Sequence, residues 1–199
     1  MPNTLHLEVQ KIMQWLTTSR RIEDYDGWWS NVVPAAEKFI HSTPPESWTA
    51  YDISDLLFLV NLCNTEYLAE TLTAKTEIAL LLARMALESG EPDARWQLAS
   101  QLAFVSDRHE AAEALLLQFA RDPEEYVSRR ALLALATLKS SAVPRLAELA
   151  WKTGHEYQRI AALNALKTVE SALLPHYLAE AHKDGREHLV SNAKRLASA

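Results

Sequence analysis

Cysteine and glycine are both scarce in this chain of 199 residues. The only cysteine, Cys63, has no partner for an internal disulfide, which favours a reducing compartment. The four glycines stand far apart, so the sequence has no glycine-rich loop that could hold a phosphate group. The Gly-x-Ser-x-Gly motif of many hydrolases is missing too. The common nucleotide-binding and serine-nucleophile motifs are therefore excluded.

Long apolar stretches are also missing. The longest runs, LLFLV and IALLLA, are far too short to cross a bilayer as a helix. The N-terminal stretch MPNTLHLEVQKIMQWL has no basic segment followed by an apolar block, so no signal peptide is predicted. These features, together with the lone cysteine, predict a cytoplasmic protein without membrane contact.

Acidic residues exceed basic ones, and the excess lies in the first half of the chain. The whole chain has a net charge of −6. Residues 1–91 have 13 acids and 6 Lys/Arg, a net charge of −7, whereas residues 92–199 have 13 acids and 14 Lys/Arg, a net charge of +1. An acidic balance disfavours binding to nucleic acid, which needs a basic surface. It favours a partner protein with a basic surface.

Signals for β-strands are absent, and the apolar residues follow a helical period instead. Glycine and proline mark a regular interval: Gly154 and Gly185 are 31 residues apart, and so are Pro92 and Pro123. Such spacing indicates an internal repeat of about 31 residues. Each repeat contains two amphipathic helices. Helices are predicted at 94–105, 109–120, 127–138, 142–152, 158–169 and 173–183, with a closing helix at 188–199 and turns at Gly90, Asp122, Gly154 and Gly185.

The first ninety residues are less regular. Four helices are predicted there, within the segments NTLHLEVQKIMQWLTT, WWSNVVPAAEKFIHS, PESWTAYDISDLLFLVNLC and KTEIALLLARMALES. They form two diverged helix pairs. Because no linker composition separates this part from the repeats, residues 1–199 are predicted to be one domain. It consists of a diverged helical part at 1–90 and, at 91–199, repeats with a C-terminal capping helix.

The repeat segments resemble the HEAT-repeat family. VSRRALLALATL at 127–138, followed by AVPRLAELAWK at 142–152, carries the resemblance, and the same pair recurs one unit later. The resemblance covers roughly residues 92–199 and is closest to the compact bacterial form of these repeats. It implies an all-α, right-handed α-solenoid of stacked antiparallel helix pairs. It also implies a scaffold that binds another protein, without catalysis or a cofactor.

The size, organisation and acidity of the chain are similar to those of small bacterial immunity or antitoxin proteins, which cover the basic active site of a toxin. Two alternatives stay open at this stage. DNA glycosylases built from HEAT-like repeats use Trp and Asp in a groove, a role for which Trp96, Trp151 and Asp93 are the candidates here. HEAT-like subunits of chromophore lyases are the other alternative, although no diagnostic residue supports them.

Histidine and carboxylate patterns favour no metal site. HEAAE at 109–113 and HEYQR at 155–159 each lack the second histidine of a zinc helix. The DYDG segment at 24–27 is followed by tryptophans, which cannot bind calcium. The second helices of successive repeats each end in a basic residue: Arg121, Lys152 and Lys183. A role in complementing the negative end of the helix dipole is favoured over a role in binding an anion.

The segment IEDYDGWWSN, residues 22–31, sets acids beside two tryptophans. If a helix begins after Gly27, Trp29 continues an apolar stripe, and Trp28 lies at the edge beside Asp24 and Asp26. Aromatic residues surrounded by charge are typical of binding hot spots, although a tryptophan that caps the end of the solenoid is an equal alternative. The predicted partner-binding residues are Asp24, Asp26 and Trp28, with Glu113, Glu148 and Glu180 on the second helices.

Overall fold

A computed structural model describes residues 3–18, 21–62, 67–105 and 107–198. These residues contain helices and turns and no β-strand, which confirms the predicted all-α class. Cys63 and Ala199, the end of the predicted closing helix, lie outside the described residues. Within the described ranges, no helix has the length and apolar character needed to span a membrane.

The α-helices are numbered α1 to α12 over the described residues. The first five are α1 Thr4–Thr18, α2 Val33–Ser42, α3 Ala50–Leu62, α4 Tyr67–Thr73 and α5 Thr76–Ser89. The next seven are α6 Pro92–Gln101, α7 His109–Phe119, α8 Glu125–Thr137, α9 Val143–Lys152, α10 Glu156–Thr168, α11 Leu174–Asp184 and α12 Glu187–Ala197. Short 3₁₀ turns occur at Ile22–Asp24, Pro45–Ser47 and Leu102–Phe104, and one π-helical turn spans Trp28–Val32.

The chain divides into two compact units, Met1–Leu98 and Ala99–Ala199. In the first unit, α1 packs against α2 and α3, while α4 and α5 pack against each other. The four predicted helices of this part are present. The structure adds the short helix α4, which the sequence pattern did not predict. The prediction of a single domain over 1–199 stays a prediction.

Polar caps join the beginnings of α1 and α3. Asn3 accepts a hydrogen bond from the His6 N–H at 2.8 Å and caps α1, while its amide donates to Asp52 at 2.6 Å. Asp52 also accepts the backbone N–H of Thr49 at 2.8 Å. This is a capping arrangement for α3, because it satisfies an N–H group that has no partner within the helix. The His6 ring lies 2.7 Å from Asp55 and adds a second link between the two helices.

The second unit contains the helices α7 to α12, in which α8 with α9 and α10 with α11 follow the predicted helix pairs. The central helix α10 packs against α8, α9, α11 and α12. The apolar positions predicted from the repeat alignment form the core: Ala131, Leu132, Leu135, Ala162, Leu163 and Leu166 are buried. Small alanines at these positions allow neighbouring helices to approach closely. The helix α12 covers the last repeat with buried Leu189, Ala193 and Leu196.

The turn between the two helices of a repeat has the same geometry in two successive repeats, after α8 and after α10. Lys139 and Glu170, which are 31 residues apart, both adopt positive φ angles, 57° and 54°. The following serines, Ser140 and Ser171, donate their backbone N–H groups to Leu135 and Leu166 at 3.0 and 2.9 Å. This pattern closes the C-terminal ends of α8 and α10 as a Schellman motif. It turns the chain into α9 and α11 in the same way.

Hydrogen bonds between successive repeats stabilise the stack. The Gln158 amide donates to the Ser128 hydroxyl at 3.0 Å, and Arg186 donates to the Gly154 carbonyl at 2.9 Å. Asp184, at the end of α11, forms ion pairs with both Arg159 and Arg186. The hydrogen bonds from Arg186, supported by the charge of Arg159, hold the pKa of Asp184 well below its usual range. These contacts give Arg159 a structural role.

Candidate protein-binding surfaces

The two adjacent tryptophans have opposite environments, and the orientation expected from the sequence is wrong. Trp28 is buried, with 8% of its surface exposed, whereas Trp29 is 58% exposed. The expected stripe ran from Trp29 through Val32, Val33, Ala36 and Ile40. The observed buried face is wider and includes Val32, Val33, Ala35, Ala36, Phe39 and Ile40. Trp28 joins this face because it lies four residues before Val32 and seven before Ala35.

The π-helical turn positions Trp28 at the start of this buried face. The Val33 N–H bonds to the Trp28 carbonyl, an i→i+5 pattern that replaces the ordinary helical step. The turn packs against α1 as well as α2, so the side chain of Trp28 is enclosed from two sides. A Cβ atom on Gly27 would lie 2.8 Å from the Tyr25 ring, so a larger residue there would require this ring to shift.

Trp29 contacts a second exposed aromatic residue. Its ring centroid lies 5.4 Å from that of Tyr67, at an edge-to-face angle of 72°. The Tyr67 hydroxyl donates a hydrogen bond to Glu37 at 2.9 Å, and this bond raises the pKa of Tyr67. Asp24 and Asp26 are exposed and precede Trp29 by five and three residues. Asp24, Asp26, Trp29 and Tyr67 are named the acidic aromatic surface below.

The three glutamates predicted as further contacts already have partners within the protein. Glu113 accepts a hydrogen bond from the Ser140 hydroxyl and is half-buried. Glu148 pairs with Lys152 at 2.7 Å, and Glu180 pairs with Lys183 at 2.7 Å. These lysines lower the pKa of Glu148 and of Glu180. A partner would therefore reach these carboxylates only in competition with the intramolecular contacts.

An open groove lies within the second unit, between the second helices α7 and α9. Its volume is about 360 Å³, and α8 and α10 contribute to its floor. Leu117, Leu146 and Leu149 give it apolar walls, and Leu149 is 51% exposed. Arg121 and Arg145 also line the groove. The sequence pattern indicated Arg121 as a helix-end cation but did not predict the groove.

The residues considered for a glycosylase are used in internal contacts. Trp151 is buried between Tyr177, at a ring distance of 4.9 Å, and the guanidinium of Arg159, at 5.0 Å. Trp96 donates its ring N–H to Asp93 at 3.0 Å within one turn of α6. A buried tryptophan cannot stack on a nucleobase. Among the described residues, no group of three or more His, Cys, Asp or Glu side chains could hold a metal ion.

Sequence reasoning missed Trp29 and Tyr67 for different reasons. For the tryptophans, the sequence did contain a signal, namely the helical spacing of the apolar residues. The spacing from Trp28 to Val32, Ala35 and Phe39 matches one face of a helix, and it does so as well as the spacing that starts at Trp29. For Tyr67 the short helix α4 gave no clear periodic pattern. Its position beside Trp29 follows from the packing of α4 against α2.

Comparisons with known proteins support the fold and name a family for part of the chain. No curated protein and no solved structure gives a significant match. The family model described as HEAT repeats matches residues 78–167, a range that includes α8, α9 and most of α10. Residues 78–167 are therefore similar to HEAT repeats, in agreement with the repeats predicted from the sequence.

Proposed function

We propose that this protein is a non-catalytic scaffold that binds another protein. The observation that carries the proposal is the match of residues 78–167 to HEAT repeats, which commonly mediate protein interactions. Members of this family are typically scaffolds without catalytic activity. Repeat stacks suit this role because they present extended surfaces on rigid helices.

The proposed partner has a basic surface and contacts the acidic aromatic surface. Residues 1–91 hold 13 acids and 6 Lys/Arg, a net charge of −7, which supports electrostatic attraction of a basic protein. The exposure of Asp24, Asp26 and Trp29 supports their availability for contact. Trp29 replaces Trp28 in the proposal, because a residue with 8% exposure offers a partner almost no surface. Glu113, Glu148 and Glu180 remain as secondary proposed contacts.

The two kinds of residue are expected to act on different rate constants. Carboxylates at the rim of an interface mainly increase the association rate, and salt weakens this effect. A tryptophan that fits a pocket of the partner mainly slows dissociation. Trp29 suits this role since it is exposed and is supported by the Tyr67 ring beside it.

A finer hypothesis is that the protein acts in the cytoplasm as an immunity or antitoxin protein that blocks a basic toxin. It is supported only by the size, repeat organisation and acidity of the chain. Co-expression tests it: the chain should restore growth to cells that produce the toxin encoded beside it. Absence of a toxic neighbour, or of rescue, would remove this hypothesis and leave the general scaffold.

Binding kinetics with a partner isolated from the native host test the scaffold proposal. Asp24→Lys combined with Asp26→Lys should slow association and flatten its dependence on salt. Trp29→Ala should weaken binding by at least about 2 kcal/mol, mainly through faster dissociation.

Matched controls come from the same unit. Glu46→Lys with Glu88→Lys changes the charge equally at two other exposed sites, and Tyr51→Ala removes another exposed aromatic residue. Both controls should leave the kinetics close to those of the unmodified protein. If the controls alter binding as much as the test variants, or if neither set alters it, the partner does not use the acidic aromatic surface.

A further inference from the structure

The groove between α7 and α9 combines an apolar wall with positive charge. Leu117 and Leu146 are half-exposed, and Leu149 is exposed. When an apolar side chain enters the groove, these leucines lose contact with water, which favours binding. The volume of about 360 Å³ is sufficient for a few side chains rather than for a large cofactor.

The positive charge of the groove comes from two arginines. Among the described residues, neither Arg121 nor Arg145 forms an ion pair or a side-chain hydrogen bond, and both are exposed. Several other cations of the same unit are paired. Examples are Lys152 with Glu148, Lys183 with Glu180, and Arg129 with Glu125. The two guanidinium groups at the groove are therefore available to a carboxylate from outside.

An acidic residue that lines the groove fixes the local backbone. Asp122 lines the groove, and its side chain accepts the backbone N–H of Glu124 at 2.9 Å, which fixes the turn before α8. Glu148, on α9, is occupied by Lys152.

The geometry points to a second binding site in this groove, for an acidic amphipathic segment of a partner protein. Leucine-like side chains of the segment contact Leu117, Leu146 and Leu149, and its carboxylates pair with Arg121 and Arg145. Guanidinium groups suit this task because they bind carboxylates through two parallel hydrogen bonds. The site goes beyond the proposed function, whose main contacts lie in the first unit and require a basic partner rather than an acidic one.

Fluorescence anisotropy with the full chain tests the site, using the fluorescein-labelled peptide ELLEELLEELLE at physiological salt. We expect a Kd on the order of 10–100 μM for the unmodified protein. Arg121→Glu with Arg145→Glu should weaken binding at least about tenfold. Leu149→Ser should weaken it about three- to tenfold, and its cost to folding should be small because half of this side chain is already exposed.

Two controls separate this site from general charge attraction. Lys38→Glu with Lys194→Glu makes the same change of charge sign at two other exposed positions, neither of which lines the groove, and should keep the affinity within about twofold, since salt weakens general charge attraction. The peptide ESSEESSEESSE has the same charge without apolar side chains and should bind at least about tenfold more weakly. Equal binding of both peptides, equal binding to both double variants, or no binding below about 1 mM would overturn the inference. None of these results would affect the contacts proposed for the first unit.

Discussion

Alanine substitutions at Trp28 and Trp29 make the same chemical change at adjacent positions, so their comparison directly tests the buried face of α2. A buried tryptophan removes about 150–250 Å² from water. At about 25 cal/mol for each Å², this burial contributes about 4–6 kcal/mol, and replacement by alanine typically costs about 3–5 kcal/mol. Trp28, at 8% exposure, should show this full effect. Trp29 is 58% exposed, so Trp29→Ala should lower the free energy of unfolding by only about 1–2 kcal/mol, mostly through loss of the contact with Tyr67.

Urea unfolding followed by circular dichroism measures both changes. The midpoint for Trp28→Ala should fall well below that for Trp29→Ala, while the slope stays the same if both variants unfold in the same manner. By thermal unfolding, a loss of about 4 kcal/mol corresponds to roughly 8–16 °C for a protein of this size. A Trp29→Ala variant as unstable as Trp28→Ala, or more so, would refute the assignment of the buried face. It would also remove Trp29 as a binding residue that can be tested independently of folding.

Three further predictions concern the core, the ion pairs and the class of partner. Leu135→Asp should unfold the protein, as measured by circular dichroism, because Leu135 has 0% exposure. The control Leu149→Asp should leave the melting temperature of the protein nearly unchanged. A cooperative transition of Leu135→Asp at the original temperature would contradict the buried placement of Leu135. Arg186 and Arg159 lower the pKa of Asp184 in the folded state. The ionised carboxylate of Asp184 therefore contributes to stability above about pH 4, the usual pKa of an unfolded aspartate, and this contribution is lost as the pH falls further. Urea titrations should therefore show that the difference in the free energy of unfolding between the unmodified protein and Asp184→Asn becomes smaller from pH 6 to pH 2. A difference that stays constant over this range would refute the role of Asp184. Labelled duplex DNA should bind no more tightly than about 100 μM at physiological salt, and submicromolar, salt-sensitive binding would revive the glycosylase alternative.

The sequence predicted the repeat region closely, because the information there is local. Each helix has a complete apolar stripe, and turn residues recur at a fixed interval, so α8 and α10 end within one residue of their predicted ends. The αL conformations of Lys139 and Glu170 were not predicted, since neither residue is a glycine. Their conformation is instead held by the hydrogen bonds of the turn to the preceding helix.

The tertiary structure decided which side chains are available for binding. Trp28 and Trp29 both border an apolar stripe, and the sequence does not determine which of them α1 will cover. The groove between α7 and α9 likewise depends on how two helices lie side by side. A helical period determines that a face is apolar, but exposure is a property of the neighbouring elements. The sequence by itself thus determined the helices and their repeat, whereas packing determined that Trp29, Arg121 and Arg145 face solvent.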